Sequence, residues 1–171
     1  MYARVVPAGD QTRLGVESCR VGCGVAERLL KLVYLRASQI NGFAFWLDMH
    51  WKDLRAAGEP EQKLYMLRVW REWPEYTEQE RAALDWTEAV TRLTNGEVPE
   101  SVYDIARAQF TEPELATLTL AVAAITLWNR FKLPLPTNAD GYERVRPPRD
   151  PHLQRPARAP ATGANPLHPR R

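Results

Sequence analysis

The clearest pattern of hydrophobic and polar positions lies in TEQERAALDWTEAVTRLTNG, residues 77–96. Apolar and small side chains recur there at spacings of three and four and form one helical stripe: Ala83, Leu84, Thr87, Val90 and Leu93. Thr77 and Glu80 have the spacing of a capping box, in which each side chain accepts a hydrogen bond from the other residue's backbone N–H. Asn95 and Gly96 are typical of a C-terminal stop, so the pattern predicts a helix that ends there.

The stretch TEPELATLTLAVAAITLWNRF, residues 111–131, repeats this start with Thr111 and Glu114. Pro113 falls in the first turn, where its missing N–H costs no helical hydrogen bond. From Leu115 to Leu127, apolar side chains occupy nearly every face, but the run is too short to span a bilayer. We therefore expect the central, buried helix of a bundle or a helix of a subunit interface.

Four further segments show the periodicity and the start and stop signals of helices, at about residues 25–39, 43–57, 61–71 and 99–109. No stretch alternates with the period of a β-strand for long enough to predict a sheet, and no repeat of solenoid length is visible. The sequence thus predicts a single all-α domain over residues 24–133, preceded by an N-terminal segment at residues 1–23.

Residues 134–171 differ from the rest of the chain in composition. They hold nine of the 14 prolines and none of the six tryptophans. Seven arginines against three acids give this segment a charge of about +4, so residues 1–133 carry about −2 of the chain's net +2. Such a segment cannot bury enough apolar surface to offset its ordering entropy, so we predict a disordered Pro/Arg-rich tail. Binding of a modular partner or an anionic surface by this tail is the alternative.

Charge and hydropathy argue against several function classes. Residues 24–133 show no basic stripe that would bind nucleic acid, and no apolar run of about 18 residues that would span a membrane. The N-terminus, MYARVVPAGDQTRLG, lacks the apolar run of a secretory signal, so we expect a cytoplasmic protein. Cys19 and Cys23 are too few for a disulfide framework, and their C-x-x-x-C spacing is only a weak redox signal. With His50 as the only histidine before residue 134, the sequence predicts neither a metal site nor a cofactor.

The stretch LVYLRASQINGFAFWLDMHWKDLRAAGE, residues 32–59, resembles the core of the carboxymuconolactone decarboxylase superfamily, and most closely its AhpD-like alkylhydroperoxidase branch. Members carry a run of the form L-R-A-S-Q-I-N-G-C-A-[YF]-C-x-D-M-H, and this chain follows it from Leu35 to Gly42 and again at Ala44 and at Asp48, Met49 and His50. The likeness covers about residues 24–132 and includes Trp-Asn-Arg at positions 128–130. It implies an AhpD-like helical fold and assembly into homotrimers or hexamers.

The resemblance also implies which positions carry the family's chemistry. In AhpD-like peroxidases the second thiolate of a C-x-x-C pair attacks a hydroperoxide, and the first thiol resolves the resulting sulfenic acid into a disulfide. In this chain the two cysteines fall on Phe43 and Trp46, and the aromatic residue between them is Phe45, which has no hydroxyl. The family's relay glutamate falls on Lys31, while its relay histidine is retained as His50. Phenylalanine and tryptophan can neither ionise nor form a disulfide, so we predict that thiol peroxidase activity is lost.

Two alternatives remain open for His50, the one candidate catalytic residue that keeps the family's side chain. It could act as a general base in a cofactor-free reaction of the decarboxylase type, or it could be a core histidine without a chemical task. Residual peroxidase activity through Cys19 and Cys23 is a further alternative.

The charged residues near this motif lead to weaker expectations. Lys31 could pair with Asp48 or attract an anion, and such an exposed pair contributes little to stability. Arg36 is interpreted as structural, although the sequence does not indicate its carboxylate partner. The tryptophans are expected in core and interface positions. The favoured interpretation is a homo-oligomeric structural protein, or a protein that binds an apolar small molecule beside the aromatic residues that replace the cysteines.

Overall fold

The structure is a computed structural model that describes residues 24–132, with side chains up to Arg130. In this range the chain forms six α-helices and two short 3-10 turns and no β-strand: α1 (Glu27–Asn41), α2 (Ala44–Ala56), α3 (Glu61–Met66), the turn Leu67–Val69, α4 (Glu78–Arg92), the turn Thr94–Gly96, α5 (Glu100–Gln109) and α6 (Glu112–Lys132). The predicted all-α fold is therefore confirmed. None of these helices is long and apolar enough to cross a membrane. The predicted N-terminal segment, with Cys19 and Cys23, and the predicted disordered tail lie outside the described residues.

The central helix of the bundle is α1, against which α2, α4 and α6 all pack. Its buried side chains point in almost every direction around the helix axis: Leu29, Leu30, Leu32, Val33, Leu35, Arg36, Ala37 and Ser38. Full burial of one leucine stabilises a fold by about 1.5–3 kcal/mol, so α1 accounts for much of the core.

The expectation that residues 111–131 form the central buried helix is wrong for the single chain. Helix α6 buries Leu118 and Val122 completely, but Leu120 and Leu127 are 44% and 57% exposed. Only one face of α6 packs against the bundle, because the helix lies at its edge. The second alternative, a helix of a subunit interface, is taken up below as a proposal.

The start of α4 matches the prediction, and its end does not. The Thr77 hydroxyl accepts a hydrogen bond from the Glu80 N–H at 3.2 Å, and the Glu80 carboxylate accepts one from the Thr77 N–H at 2.9 Å, which confirms the capping box. The helix ends at Arg92, before the predicted stop, because Leu93 adopts a left-handed conformation with φ +41°. Leu93 is consequently exposed and does not extend the buried stripe.

Two other helices differ slightly from their predicted form. At the start of α6, the Glu114 carboxylate accepts hydrogen bonds from both the N–H and the hydroxyl of Thr111, each at 2.8 Å. The glutamate half of the capping box is thus present, while the threonine hydroxyl donates to the carboxylate. The segment predicted as one helix over 61–71 is α-helical only to Met66 and continues as the 3-10 turn.

The connection between α1 and α2 is short and positions the residues of interest. Gly42 has φ +69°, a left-handed conformation that glycine adopts without steric cost, and its N–H donates to the Ser38 carbonyl. The Phe43 N–H donates to the same carbonyl at 3.3 Å. Phe43 then serves as the N-cap of α2. The end of α1 and the start of α2 are therefore held together by backbone hydrogen bonds.

Candidate functional site

The retained histidine and three aromatic side chains near it are named here the aromatic cluster: Tyr34, Phe45, Trp46 and His50. The Trp46 and His50 rings are stacked, with centroids 5.8 Å apart and planes at 17°, because the two residues are one helical turn apart on α2. Tyr34 of α1 brings its ring centroid to 5.3 Å from the imidazole. Phe45 meets Trp46 edge-on, also at 5.3 Å. His50 is consequently buried, with 6% of its surface exposed.

Phe43 lies just before the first turn of α2, whereas Trp46 and His50 lie within the helix. The sequence places Phe43, Trp46 and His50 at spacings that align on one side of a helix, but Phe43 is the N-cap of α2. It is 8% exposed and lies on the wall of a pocket that His50 does not line. The structure thus brings together His50 and Trp46, while Phe43 borders this pocket.

Lys31 forms its ion pair within its own helix. Its ammonium group lies 2.8 Å from the Glu27 carboxylate, while Asp48 pairs with Lys52 at 2.6 Å. The suggested pair between Lys31 and Asp48 is therefore not formed, because each residue has an oppositely charged partner one turn away along its own helix. Among residues 24–132, no three histidine, cysteine or acidic side chains are grouped so that they could hold a metal ion.

A buried carboxylate, Glu88 of α4, collects hydrogen bonds from four side chains, and we name these five residues the Glu88 network. Its Oε1 accepts from Arg36 Nε at 2.9 Å, from Arg36 Nη2 at 2.6 Å and from Trp70 Nε1 at 2.8 Å. Its Oε2 accepts from Arg71 Nη1 at 3.0 Å and from Arg92 Nη1 at 2.6 Å. The network joins three parts of the chain around one negative charge. These are α1, α4 and the two residues after the first 3-10 turn, Trp70 and Arg71.

The charge on Glu88 is stabilised by its donors. Burial alone would raise the pKa of this carboxyl group, but the hydrogen bonds from Trp70 and Arg36 and the positive charge of Arg36 outweigh burial and lower the pKa to about 2. Glu88 is therefore ionised at neutral pH. It is also the carboxylate partner of Arg36, which agrees with the structural role expected for that arginine.

Sequence reasoning missed the Glu88 network, although one signal for it exists. Glu88 interrupts a stripe of buried positions on α4, between Leu84 and Thr91, and Arg36 interrupts the buried positions of α1 in the same way. A charged residue inside an apolar stripe needs a buried partner of opposite charge. The two interruptions therefore point to each other, and Arg92 follows Glu88 by one helical turn, but the sequence gives no indication of the contributions of Trp70 and Arg71.

A pocket of about 630 Å³ opens between the end of α1, the start of α2, Arg68 and the end of α4, and we name it the arginine pocket. In the part of the chain that the structure describes, its lining includes three arginines and no acidic residue: Arg36, Ser38, Gln39, Ile40, Gly42, Phe43, Ala44, Leu47, Arg68 and Arg92. Volumes of about 300–1,000 Å³ are typical of small-molecule sites. The pocket combines an apolar wall at Phe43 and Leu47 with a cationic wall.

Comparison with known proteins shows which family this chain resembles. The family model of the carboxymuconolactone decarboxylase family matches residues 18–89. The uncharacterized protein YdfG of Bacillus subtilis (strain 168) is 32% identical over 138 residues, which cover 81% of this chain and 94% of that protein.

Two solved structures share the helical fold. The first is a protein of unknown function from Agrobacterium tumefaciens, provisionally assigned as an antioxidant defence protein AhpD. It is 37% identical, with a TM-score of 0.73 over 85% of this chain and 97% of the other. An uncharacterized peroxidase-related protein from Silicibacter sp. TM1040 has a TM-score of 0.59 at 18% identity, over 69% of this chain and 64% of the other, and shows similarity of fold alone. The chain belongs to the carboxymuconolactone decarboxylase family and has its AhpD-like helical fold.

Proposed function

We propose that this protein is an AhpD-like family member that has lost thiol-dependent reduction of hydroperoxides and serves as an oligomeric binding protein for an apolar small molecule. One observation carries the proposal: aromatic rings stand where the AhpD-like motif has its two cysteines. Phe43 is buried at the start of α2, and Trp46 is stacked on His50. Because neither side chain can become a thiolate or a sulfenic acid, the peroxidase cycle has no nucleophile at these positions.

The proton relay of the motif is altered as well. Lys31, at the relay glutamate position, pairs with Glu27 and carries the opposite charge. A protonated lysine has no lone pair with which to orient an imidazole. The position of the family's relay glutamate therefore offers no carboxylate to the retained histidine.

A cofactor-free decarboxylase that uses His50 as a general base is the second class considered in the sequence analysis. Such a base must reach a substrate proton, directly or through one water. The ring of Trp46 stacks on the imidazole, that of Tyr34 lies against it, and the histidine does not line the arginine pocket. The burial of His50 therefore supports the binding function over this enzymatic one.

The oligomeric part of the proposal is supported by the apolar surface of α6. Leu120 and Leu127 are exposed and lie seven residues apart on one face of this helix. Exposed apolar faces of this kind commonly pack against a second copy of the chain in closed homo-oligomers.

Light scattering after size-exclusion chromatography should show a trimer or hexamer for the wild type and smaller species for Leu120→Glu/Leu127→Glu. Tyr65→Glu, at an exposed position on α3, is the matched control and should leave the assembly unchanged.

The loss of peroxidase function is tested by consumption of cumene hydroperoxide with dithiothreitol as reductant. We expect the wild-type rate to equal the protein-free blank. The only cysteines are Cys19 and Cys23, so the control is the Cys19→Ser/Cys23→Ser variant. A wild-type rate above the blank that disappears in this variant would overturn the proposal and favour retained thiol chemistry.

A further inference from the structure

The arginine pocket has a charge pattern that a purely apolar ligand would not need. Among the described residues, three arginines border it, and no aspartate or glutamate does. Glu88 supplies a single negative charge to Arg36 and Arg92 and also accepts hydrogen bonds from Arg71 and Trp70. The pocket therefore carries an excess of positive charge, which attracts anions.

Arg68 contributes a guanidinium group that is not engaged elsewhere in the described part of the chain. It follows Leu67 in the 3-10 turn and is exposed, and no hydrogen bond or ion pair joins it to another residue of 24–132. Arg36, by contrast, donates to Glu88 and to Gln39. A free guanidinium presents parallel N–H groups that match a carboxylate in a bidentate geometry.

Part of the pocket lining is apolar. Phe43 and Leu47 line it from the start of α2, and Ile40 from the end of α1. An inorganic anion would leave this wall in contact with water, whereas a ligand with a hydrocarbon body would bury it at a gain of about 25 cal/mol per Å². Recognition by both walls requires a molecule that is anionic at one end and apolar along the rest.

From these observations we infer that the arginine pocket binds an organic monocarboxylate with an apolar body, whose carboxylate pairs with Arg68 and whose hydrocarbon part packs on Phe43. This inference rests on the proposed binding function and names the chemical class of its ligand. Arg36 and Arg92 contribute positive charge, while their hydrogen bonds to Glu88 hold them in place.

The test is isothermal titration of the full-length protein with decanoate, held below its micelle-forming concentration, and with decanol and inorganic phosphate as probes. Decanoate should bind more tightly than either, because only it uses both walls. Arg68→Gln should weaken decanoate binding about tenfold, as expected for loss of a charge-assisted hydrogen bond, and leave decanol binding unchanged.

Arg107→Gln is the matched control, since this arginine is exposed and does not line the pocket. Equal affinities for decanoate and decanol, or equal effects of Arg68→Gln and Arg107→Gln, would overturn the carboxylate assignment and leave apolar binding intact. Phosphate binding as tight as that of decanoate would overturn the role of the apolar wall. Absence of binding by all three probes would overturn the inference and the proposed binding function, whereas the loss of peroxidase activity is decided separately by the hydroperoxide assay.

Discussion

Two side-chain clusters on α1 differ in what holds them together. Tyr34 and Arg36 are two residues apart and therefore point about 200° apart around the helix. Tyr34 belongs to the aromatic cluster, where rings stack around His50, and Arg36 belongs to the Glu88 network, where one buried carboxylate is surrounded by donors. The aromatic cluster is held together by ring contacts, and the Glu88 network by charge-assisted hydrogen bonds.

The two clusters should therefore differ in how well they tolerate substitution. Ring stacking adds only about 0.5–1.5 kcal/mol beyond burial, so substitutions between aromatic residues in the aromatic cluster should cost little. Removal of one partner from a buried ion pair costs about 3–5 kcal/mol, so the Glu88 network tolerates little change. The predictions below test this contrast in order of decreasing effect.

Glu88→Gln should destabilise the protein most. The substitution leaves Arg36 buried without a counter-charge, and we expect a loss of about 3–5 kcal/mol in the free energy of unfolding by urea. Asp85→Asn is the matched control, because Asp85 also pairs with Arg71 but at a more exposed position. This control should cost less than about 1 kcal/mol. Equal effects of the two variants would contradict the central role of Glu88.

The same carboxylate should make stability depend on acid pH. Its pKa is about 2 in the folded state against an ordinary value of 4.5. A depressed folded-state pKa gives stability that is complete above the unfolded value and is lost as pH falls from about 4.5 towards 2. The loss from Glu88 should reach about 3 kcal/mol, measured by urea unfolding across this range. The gap between wild type and Glu88→Gln should narrow over the same range, and a constant gap would contradict the assignment.

Trp46→Ala should have an intermediate effect. The side chain is half-buried, so we expect about 2 kcal/mol from lost burial and lost stacking on His50, less than for a fully buried tryptophan. Trp46→Phe keeps a ring at this position and should cost under about 1 kcal/mol. Urea unfolding of both variants measures the difference. A loss from Trp46→Ala as large as that from Glu88→Gln would remove the contrast between the two clusters.

Lys31→Glu should have the smallest effect on stability. It replaces an ion pair with Glu27, whose carboxylate is largely exposed, by a like-charge pair, which costs under about 1 kcal/mol. Thermal unfolding should show a shift of a few degrees at most. A larger loss of thermal stability would indicate that Lys31 contributes to the packing of the core.

The sequence predicted the helices well because their signals are local. Apolar spacing and the Thr77 capping box act within a few residues, so each helix could be placed to within a few positions. The exceptions depend on tertiary contacts. Helix α1 is central because three helices pack on it, and the apolar composition of α6 did not show that one of its faces is left uncovered by the other described residues.

The candidate site was predicted only where a motif covers it. Residues 35–50 identified His50 and the replaced cysteine positions through their resemblance to the family. The partner of Arg36 could not be found in this way, because Glu88 lies 52 residues away and the pairing depends on how α4 packs on α1. The arginine pocket is equally non-local, since Arg68 and Arg92 reach it from different parts of the chain.

The most direct measurement restores the motif in the Lys31→Glu/Phe43→Cys/Trp46→Cys variant and compares its consumption of cumene hydroperoxide with that of the wild type. If the AhpD-like bundle is intact and only the reactive groups at these positions are lacking, the wild-type rate should equal the blank. The folded triple variant should then consume hydroperoxide in a dithiothreitol-dependent manner. A wild type that already consumes hydroperoxide through its own cysteines, or a folded triple variant as inactive as its parent, would contradict this prediction.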